Sequence, residues 1–401
     1  MMNKKNLLHI LTAVSFAVFI ALGLASASGK TGPGEASMLY FEANGGTGPV
    51  PSSQKVTKDA SFTLPGAQGL SFGNASFGGW VSYDENDTAT IYRAGESFTP
   101  SGGTFILYAK WVLDAPDLES ADSFANKLIW LQNNAETNGN YILEINANET
   151  IGPQSLSFPG KKNITITLRG IGANRTISFT TRQYHNVFVI GPSVTFILDN
   201  NITFQTKHDR SFVNVIGTLI MNDGSTIICN GDEGVEVSSG TFTMNGGTIT
   251  GCRNGVVIGS GMGSSKKPGT FNMNGGSITK NNGSGVVLAI GTFAMIGGTI
   301  SNNIRIGDGA GVNVGFPLGN SVDAIFNMSG GNIEGNEAQS QADKDGRKNF
   351  ARGGGVYVDK TGRFTITGGT ITRNKANEGA NGVFASTPGS YVNKGGTVQT
   401  D

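Results

Sequence analysis

A short unit built around a Gly-Gly pair recurs through the C-terminal part of the chain. The pairs stand at 246–247, 275–276, 297–298, 330–331, 368–369 and 395–396, and the clearest copy reads GVVLAIGTFAMIGGTISNN at 285–303. The shortest intervals between equivalent positions are 22 and 23 residues. Repetition at a fixed period of this size is typical of solenoids, in which each unit stacks on the previous one.

Each unit holds three short segments, of the forms GVxV, TFxM and TIT, in which apolar and polar residues alternate. Alternation with period two places the apolar side chains on one face of a strand. Strands this short cannot bury that face alone, so stacked coils must supply the core. The repeat therefore predicts an all-β parallel β-helix over 140–401, with three short strands in each of about nine coils.

An asparagine recurs three residues after the isoleucine of the third strand. Asparagine tolerates the left-handed backbone conformation, and its amide can bond to the next coil. The pattern predicts an asparagine ladder at this corner, interrupted once by Cys252. The predicted ladder residues are Asn230, Asn281, Asn303, Asn336 and Asn374.

This repeat resembles the right-handed parallel β-helix proteins of the pectin-lyase-like superfamily. The run GGTI followed by xxN is also similar to the short repeats of polymorphic outer-membrane adhesins. The resemblance covers about 140–401 and implies the right-handed solenoid. It implies no single function, because one fold hosts many activities.

A different set of motifs occupies 38–112. The segments YFEANGGTG (40–48), FGGW (77–80), YRAGESFT (92–99) and LYAKW (107–111) occur in that order. They resemble the Listeria–Bacteroides repeat, a small β-grasp-like module of bacterial surface proteins that include internalins. The resemblance implies export, residence in the cell envelope and adhesion. We expect Trp80 and Trp111 to form the core, since a domain this small needs large aromatic side chains.

The N-terminus predicts the compartment. Lys4 and Lys5 precede an apolar run over 7–24, and Ala25-Ser26-Ala27 follows it. This order predicts a secretory signal peptide over 1–27, followed by a linker over 28–37. We therefore expect an exported protein of the cell envelope, cell surface or medium, with no membrane span after cleavage. An uncleaved membrane anchor is the alternative.

A polar segment, 113–119, is expected to link the module to the solenoid. A capping helix is then predicted over 120–139, with Ser120 as its N-cap and Asp122 in its first turn. The helix would bury an apolar face on the open end of the first coil. The residues expected on that face are Ala121, Phe124, Ala125, Leu128 and Leu131.

Charge and metal-ligand content exclude several function classes. The chain carries 29 Lys and Arg against 29 Asp and Glu and has no basic stripe, which excludes nucleic acid as an expected partner. His9 lies in the signal peptide, and His185 and His208 lack ligand spacing. We therefore expect no metal and no cofactor.

Cys229 and Cys252 lie one coil apart, and an exported protein can form a disulfide. The repeat alignment sets them one position out of register, which favours two buried thiols over a bridge. Both states remain open at this point.

The repeat also allows the outward side chains to be read coil by coil. Glu236 and Glu334 are isolated in their columns, and no paired acids appear of the kind that carbohydrate-active enzymes use. The first-strand column instead contains apolar residues at Val257, Val287, Tyr357 and Phe384. An exposed apolar stripe predicts contact with a glycan or protein of the host or the envelope. The alternative is that the long insertions at 259–269, 315–324 and 337–352 cover the stripe.

The sequence thus predicts a non-catalytic surface protein that acts in adhesion or ligand binding. A polysaccharide lyase or glycoside hydrolase on the same scaffold is the alternative, with a site assembled across loops from residues such as Asp308, Asp323 or Asp343. Three or more carboxylates in one groove would favour the enzyme. A fragment of a larger adhesin is a third interpretation.

Overall fold

The computed structural model describes residues 36–83, 89–115, 117–119, 121–180, 187–206, 211–230, 233–259, 267–315, 324–342, 345–346 and 348–400. The chain divides into two compact units between Val112 and Leu113. The predicted signal peptide, Ser120, His185, His208, Asp323 and Asp343 lie outside the described residues. No helix among the described residues combines the length and the apolarity needed to cross a membrane.

The first unit is a small mixed sheet with a central parallel pair, β1 and β7. Its strands are β1 (Ala36–Glu42), β2 (Gln54–Thr57), β3 (Phe62–Thr63), β4 (Ser76–Tyr83), β5 (Ala89–Tyr92), β6 (Ser97–Phe98) and β7 (Thr104–Val112). The main sheet runs in the order β2-β1-β7-β4-β5, and β3 pairs with β6. Trp80 and Trp111 are fully buried, as expected, and each indole N–H donates to a backbone carbonyl.

The second unit begins with helix α1 (Phe124–Asn134), which is shorter than predicted. Ser123, not Ser120, is its N-cap, and the Ser123 hydroxyl accepts the Asn126 N–H at 3.1 Å. The expected apolar face is buried, and the Phe124 ring lies 6.2 Å from that of Phe204. The Glu149 carboxylate accepts the N–H groups of Phe124 and Ala125, at 2.7 and 3.3 Å, so the first coil anchors the positive end of the helix.

Three long parallel sheets form the β-helix, which confirms the predicted fold class. We name them first, second and third sheet after the order of the strands in a coil. The first sheet contains β10 (Gln154–Leu156), β13 (Phe188–Ile190), β16 (Val213–Val215), β19 (Glu233–Val237), β22 (Asn254–Ile258), β25 (Val286–Leu288), β29 (Val312–Val314), β33 (Val356–Val358) and β37 (Val383–Ala385). The second contains β8 (Asn140–Ile145), β11 (Ile164–Gly170), β14 (Val194–Leu198), β17 (Thr218–Met221), β20 (Thr241–Met244), β23 (Gly269–Met273), β26 (Gly291–Met295), β30 (Ala324–Met328), β34 (Gly362–Ile366) and β38 (Tyr391–Asn393).

The third sheet contains β9 (Glu149–Ile151), β12 (Arg175–Phe179), β15 (Ile202–Thr206), β18 (Ser225–Cys229), β21 (Thr248–Thr250), β24 (Ser277–Thr279), β27 (Thr299–Ser301), β31 (Asn332–Glu334), β35 (Thr370–Thr372) and β39 (Thr397–Val398). A further small sheet, β28 (Ile304–Ile306), β32 (Glu337–Gln339) and β36 (Lys375–Ala376), lies at the corner between third and first strands.

The coils stack in the register that the repeat predicts. Met244 pairs with Met273, and Met273 pairs with Met295. The phenylalanines two positions before these methionines stack face to face, with ring centroids 4.7 and 4.8 Å apart. The core is therefore a set of columns of like residues, each fully buried between the three sheets.

The asparagine ladder is confirmed at four of its five predicted positions. The side-chain amides of Asn281, Asn303 and Asn336 each donate to the next asparagine carbonyl oxygen, at 2.8, 2.8 and 3.0 Å, ending on Asn374. Each of these oxygens also accepts a backbone N–H from the preceding coil. Asn230 was predicted wrongly, because it is exposed and the next coil presents Cys252 in place of an amide.

Cys229 and Cys252 form a disulfide, with their Cα atoms 4.8 Å apart. The preference for two buried thiols is therefore wrong. Cys229 ends β18, whereas Cys252 follows β21 in the corner, where the chain has left the regular ladder. This departure from strand geometry allows the sulfurs to meet despite the offset of one position in the alignment.

Candidate ligand-binding face of the first sheet

The strand register defines the outward column of the first sheet. Its members are Val189, Asn214, Glu236, Val257, Val287, Asn313, Tyr357 and Phe384. Phe188, which precedes Val189 on the same strand, points inward and is fully buried. Its ring lies 5.7 Å from that of Phe179 and 5.2 Å from that of Phe204, so it belongs to an aromatic core in the first coils.

The four predicted site residues share this column but form two separate pairs. Val257 and Val287 occupy neighbouring coils and are half-buried. Asn313 separates them from Tyr357 and Phe384, which are neighbours of each other. Tyr357 is only 8% exposed, so the expectation of an exposed apolar stripe is wrong at this residue. Other side chains cover it.

The cover is an aromatic–arginine cluster, which we define as Phe350, Arg352, Tyr357 and Phe384. The Arg352 guanidinium carbon lies 4.5, 5.3 and 4.6 Å from the ring centroids of Phe350, Tyr357 and Phe384. The rings of Tyr357 and Phe384 are parallel within 3°, at 5.7 Å. Phe350 is 63% exposed and forms the outer surface of the cluster.

Asp308 fixes Arg352 in place. One carboxylate oxygen accepts the Arg352 backbone N–H at 2.8 Å and Nε at 3.1 Å, and the other accepts Nη2 at 2.7 Å. The hydrogen bond with Asp308 raises the pKa of Arg352 above its ordinary value. A guanidinium held by two oxygens is a rigid platform, because the fork of donors matches the carboxylate.

The Tyr357 hydroxyl extends this network inward. It lies 3.5 Å from Arg352 Nη2, which donates to it, and 3.4 Å from Asp359 Oδ1, to which it can donate. Burial, followed by the charge of Asp308, raises the pKa of Tyr357 to about 12. The hydroxyl therefore keeps its proton at physiological pH and serves as a donor.

Arg305 lies beside this network, on β28. It pairs in register with Ala338, which in turn pairs with Ala376, so its side chain shares the inward direction of these small residues. Nη1 donates to the Ser284 hydroxyl at 2.7 Å. Burial lowers the pKa of Arg305 below its ordinary value, and Asp308 partly offsets this effect.

Sequence reasoning missed Phe350 and Arg352. Both lie in the insertion over 337–352, which the alternative interpretation placed over the stripe without naming these residues. Its last residues return to the first sheet immediately before β33. The available signal was the run NFAR at 349–352, which places an aromatic and a cation directly upstream of a first strand.

Glu236 occupies the same outward column but is largely covered. The Ser211 hydroxyl donates to its Oε2 at 2.6 Å, and Ser238 lies 3.3 Å from its Oε1. Burial is the main cause of a raised pKa for Glu236, and the nearby Glu233 adds to it. Glu334, the other isolated acid, forms an ion pair with Arg373 of the next coil.

Three carboxylates surround the aromatic–arginine cluster. Asp308 and Asp359 contact it directly, and Glu378 lies within electrostatic range of Arg352. Asp308 accepts three hydrogen bonds from Arg352, so its carboxylate is engaged mainly in an ion pair. Within the described ranges, no group of three or more His, Cys, Asp or Glu residues is arranged to hold a metal ion.

A separate cavity of about 290 Å³ opens on the third sheet, at its N-terminal end. It is lined by Asn148, Glu149, Thr150, Thr176, Ser178 and Gln205. Its only carboxylate, Glu149, holds the N-terminus of α1, so its oxygens have a structural role. The cavity contains none of the predicted site residues.

Comparison of the chain with protein-family models, curated proteins and solved structures found no match.

Proposed function

We propose that this protein is exported to the bacterial cell surface and binds a ligand, without catalysis, through the aromatic–arginine cluster of the first sheet. The observation that carries the proposal is Phe350, a large aromatic side chain that is 63% exposed yet held against the guanidinium of Arg352. Exposed aromatic and arginine side chains on a fixed base are the residues that dominate binding energies at interfaces.

The rigidity of the base supports the proposal. Tyr357 and Phe384 lie on neighbouring strands of a regular sheet, and Asp308 holds Arg352 through three hydrogen bonds. A preorganised surface loses little side-chain entropy on binding, so more of its contact energy appears as affinity. Aromatic faces and a guanidinium suit either class of expected ligand, a glycan or a protein.

The likeness of 38–112 to the Listeria–Bacteroides repeat supports residence in the envelope, as does the signal-like N-terminus. An insertion whose last residues, Phe350 and Arg352, return to the first sheet is an arrangement that repeat proteins use for binding. Together these features favour adhesion as the role of the ligand contact.

A carbohydrate-active enzyme is the second candidate, because Asp308, Asp359 and Glu378 gather near one cluster. The contacts weaken this alternative. Arg352 occupies Asp308, and a tyrosine with a pKa of about 12 is a poor base at neutral pH. Release of unsaturated or reducing sugar from pectic or neutral polysaccharides, lost in Asp359→Asn, would favour the enzyme instead.

The binding proposal is tested with residues 28–401 on a glycan array and on host-matrix proteins. We expect Phe350→Ala combined with Phe384→Ala to weaken binding of any ligand found by about tenfold or more. Val392→Ala is the matched control, since Val392 is an exposed apolar residue on the second sheet of the same coil as Phe384. Binding that is equal in the double variant and the wild type would refute the proposal.

A further inference from the structure

One carboxylate oxygen beside the aromatic–arginine cluster has no hydrogen-bond donor. Asp359 follows β33 and is 8% exposed. Its Oδ1 lies 3.4 Å from the Tyr357 hydroxyl, whereas its Oδ2 is buried with no donor among the described residues. A buried carboxylate oxygen without a donor costs free energy, so such an atom marks a place where a partner group is missing.

The direction of the hydrogen bonds shows that the cluster cannot supply this donor. Arg352 Nη2 donates to the Tyr357 hydroxyl, and the single proton of that hydroxyl is directed to Asp359 Oδ1. The remaining Arg352 donors with a partner are directed to Asp308. This series of hydrogen bonds therefore ends at Oδ1 of Asp359, and Oδ2 receives no donor from the cluster.

The charged groups around Asp359 also leave it without a partner. The acids at this site are Asp308, Asp359 and Glu378, and the neighbouring cations are Arg352 and Arg305. Arg352 pairs with Asp308, but no ion pair among the described residues includes Asp359. Asp359 is therefore an acid of this site that has no cation partner among the described residues, and the Nε of Arg305 likewise has no acceptor.

The rings show which group the site can receive. Three aromatic side chains already hold a guanidinium at 4.5 to 5.3 Å, and the outer surface of Phe350 remains exposed. A second cation on that surface would gain the same attraction between charge and ring. The terminal torsion of an aspartate is broad, so Oδ2 can turn towards an incoming donor.

We propose that the ligand presents a basic group, the ammonium of a lysine or the guanidinium of an arginine on a partner protein, to Asp359 and Phe350. This inference rests on the proposed function and specifies its ligand. The Asp359 carboxylate would form an ion pair with the basic group, and the face of the Phe350 ring would form a cation–π contact with it.

The experiment measures binding of residues 28–401 to four labelled peptides of equal length, rich in Lys, Arg, Gln or Glu, by fluorescence anisotropy at low and high salt. We expect the basic peptides to bind about tenfold more tightly than the Gln peptide, and added salt to reduce the difference. Asp359→Asn should remove most of this preference, because the isosteric amide carries no charge. Glu334→Gln is the matched control, an acid on the outward face of the third sheet.

Equal binding of basic and uncharged peptides by the wild type would overturn the inference without any variant. So would an Asp359→Asn protein that melts like the wild type and keeps the preference. The two proposals fail separately. Suppose that the Phe350 and Phe384 double variant no longer binds a glycan or matrix ligand, whereas Asp359→Asn still does. The proposed binding site would then be supported, and its preference for a basic group would be refuted.

Discussion

The first and third sheets of the β-helix share one core but have different outer faces. The third sheet has two outward columns. One is mixed and includes Gln205, Ile228 and Glu334. The other is nearly uniform and reads Thr176, Thr203, Thr226, Thr248, Ser277, Thr299, Asn332, Thr370 and Thr397. The first-sheet column mixes valine, asparagine, glutamate, tyrosine and phenylalanine. Uniform β-branched hydroxyl residues satisfy strand propensity and pair across strands. A heterogeneous column beside inserted segments is where specific contacts arise.

The asparagine ladder follows the third strand of each coil and leads into the first, so Asn303→Ala is expected to have the largest effect on both sheets. Asn303 is fully buried, accepts two N–H groups of Asn281 and donates to Asn336 and to the Ile278 carbonyl. Its removal orphans several buried groups, and we expect a loss of about 3–5 kcal/mol in the free energy of unfolding. Urea denaturation measures it. A loss below about 1 kcal/mol would contradict a structural role for the ladder.

The disulfide lies where the asparagine ladder is interrupted, because Cys252 occupies the position that an asparagine takes in later coils. We expect the covalent link to stabilise this part of the corner instead. Cys229 and Cys252 are separated by 23 residues along the chain. Replacing both by serine is expected to lower the free energy of unfolding by about 3 kcal/mol, because a loop of this length is released in the unfolded state. The melting temperature of the double variant, compared with that of the oxidised wild type, checks this. Equal melting of the oxidised and reduced wild type would argue against it.

Glu236, in the first-sheet column, should make the stability of the protein depend on pH. Because burial raises its pKa in the folded protein, the unfolded chain ionises this group first as pH rises. Its contribution to stability is therefore complete below the ordinary carboxyl value of 4.5 and is lost as pH rises through the folded-state pKa. Glu236→Gln should flatten this decline and stabilise the protein at neutral pH. Denaturation midpoints between pH 4 and 8 measure the effect, with the ion-paired Glu334→Gln as control. A wild-type decline that persists in Glu236→Gln would assign it to other groups.

The smallest effect is expected on the third sheet. Thr250 and Thr279 are neighbours in its second outward column, and both are half-buried. Replacing both by alanine should change the free energy of unfolding by no more than about 1 kcal/mol and leave ligand binding unaltered. Chemical denaturation and the binding assay above check the two parts. Loss of binding in this variant would show that the outer face of the third sheet is functional. The proposed difference between the two sheets would then be wrong.

Much of the solenoid was predictable because its rules are local. Period-two alternation directs the methionine and phenylalanine columns inward, and the fixed repeat length brings equivalent residues into register. A second, exposed asparagine ladder was missed although the recurrent MN pair signals it. Asn222 donates to Asp199, Asn245 to Asn222 and Asn274 to Asn245, at 3.0, 3.1 and 2.9 Å.

The candidate site was only half predictable. Alternation showed that Tyr357 and Phe384 share one outward column, because strand register follows from the repeat. It did not show that Phe350 and Arg352 cover them, because an aperiodic insertion carries no information on where its end returns. The same reason explains Glu236, which reads as an isolated surface acid in its column yet is half-buried and accepts a hydrogen bond from Ser211.

Short-range periodicity is enough to specify the coil, its three strands and the identity of the inward columns. Periodicity does not specify which outward side chains remain exposed, whether the two cysteines meet or which acids have a cation partner. Those outcomes depend on segments distant in sequence that approach in space, such as Asp308 and Arg352. Periodicity specifies the direction of a side chain, but its surroundings are set by how the insertions fold back onto the coils.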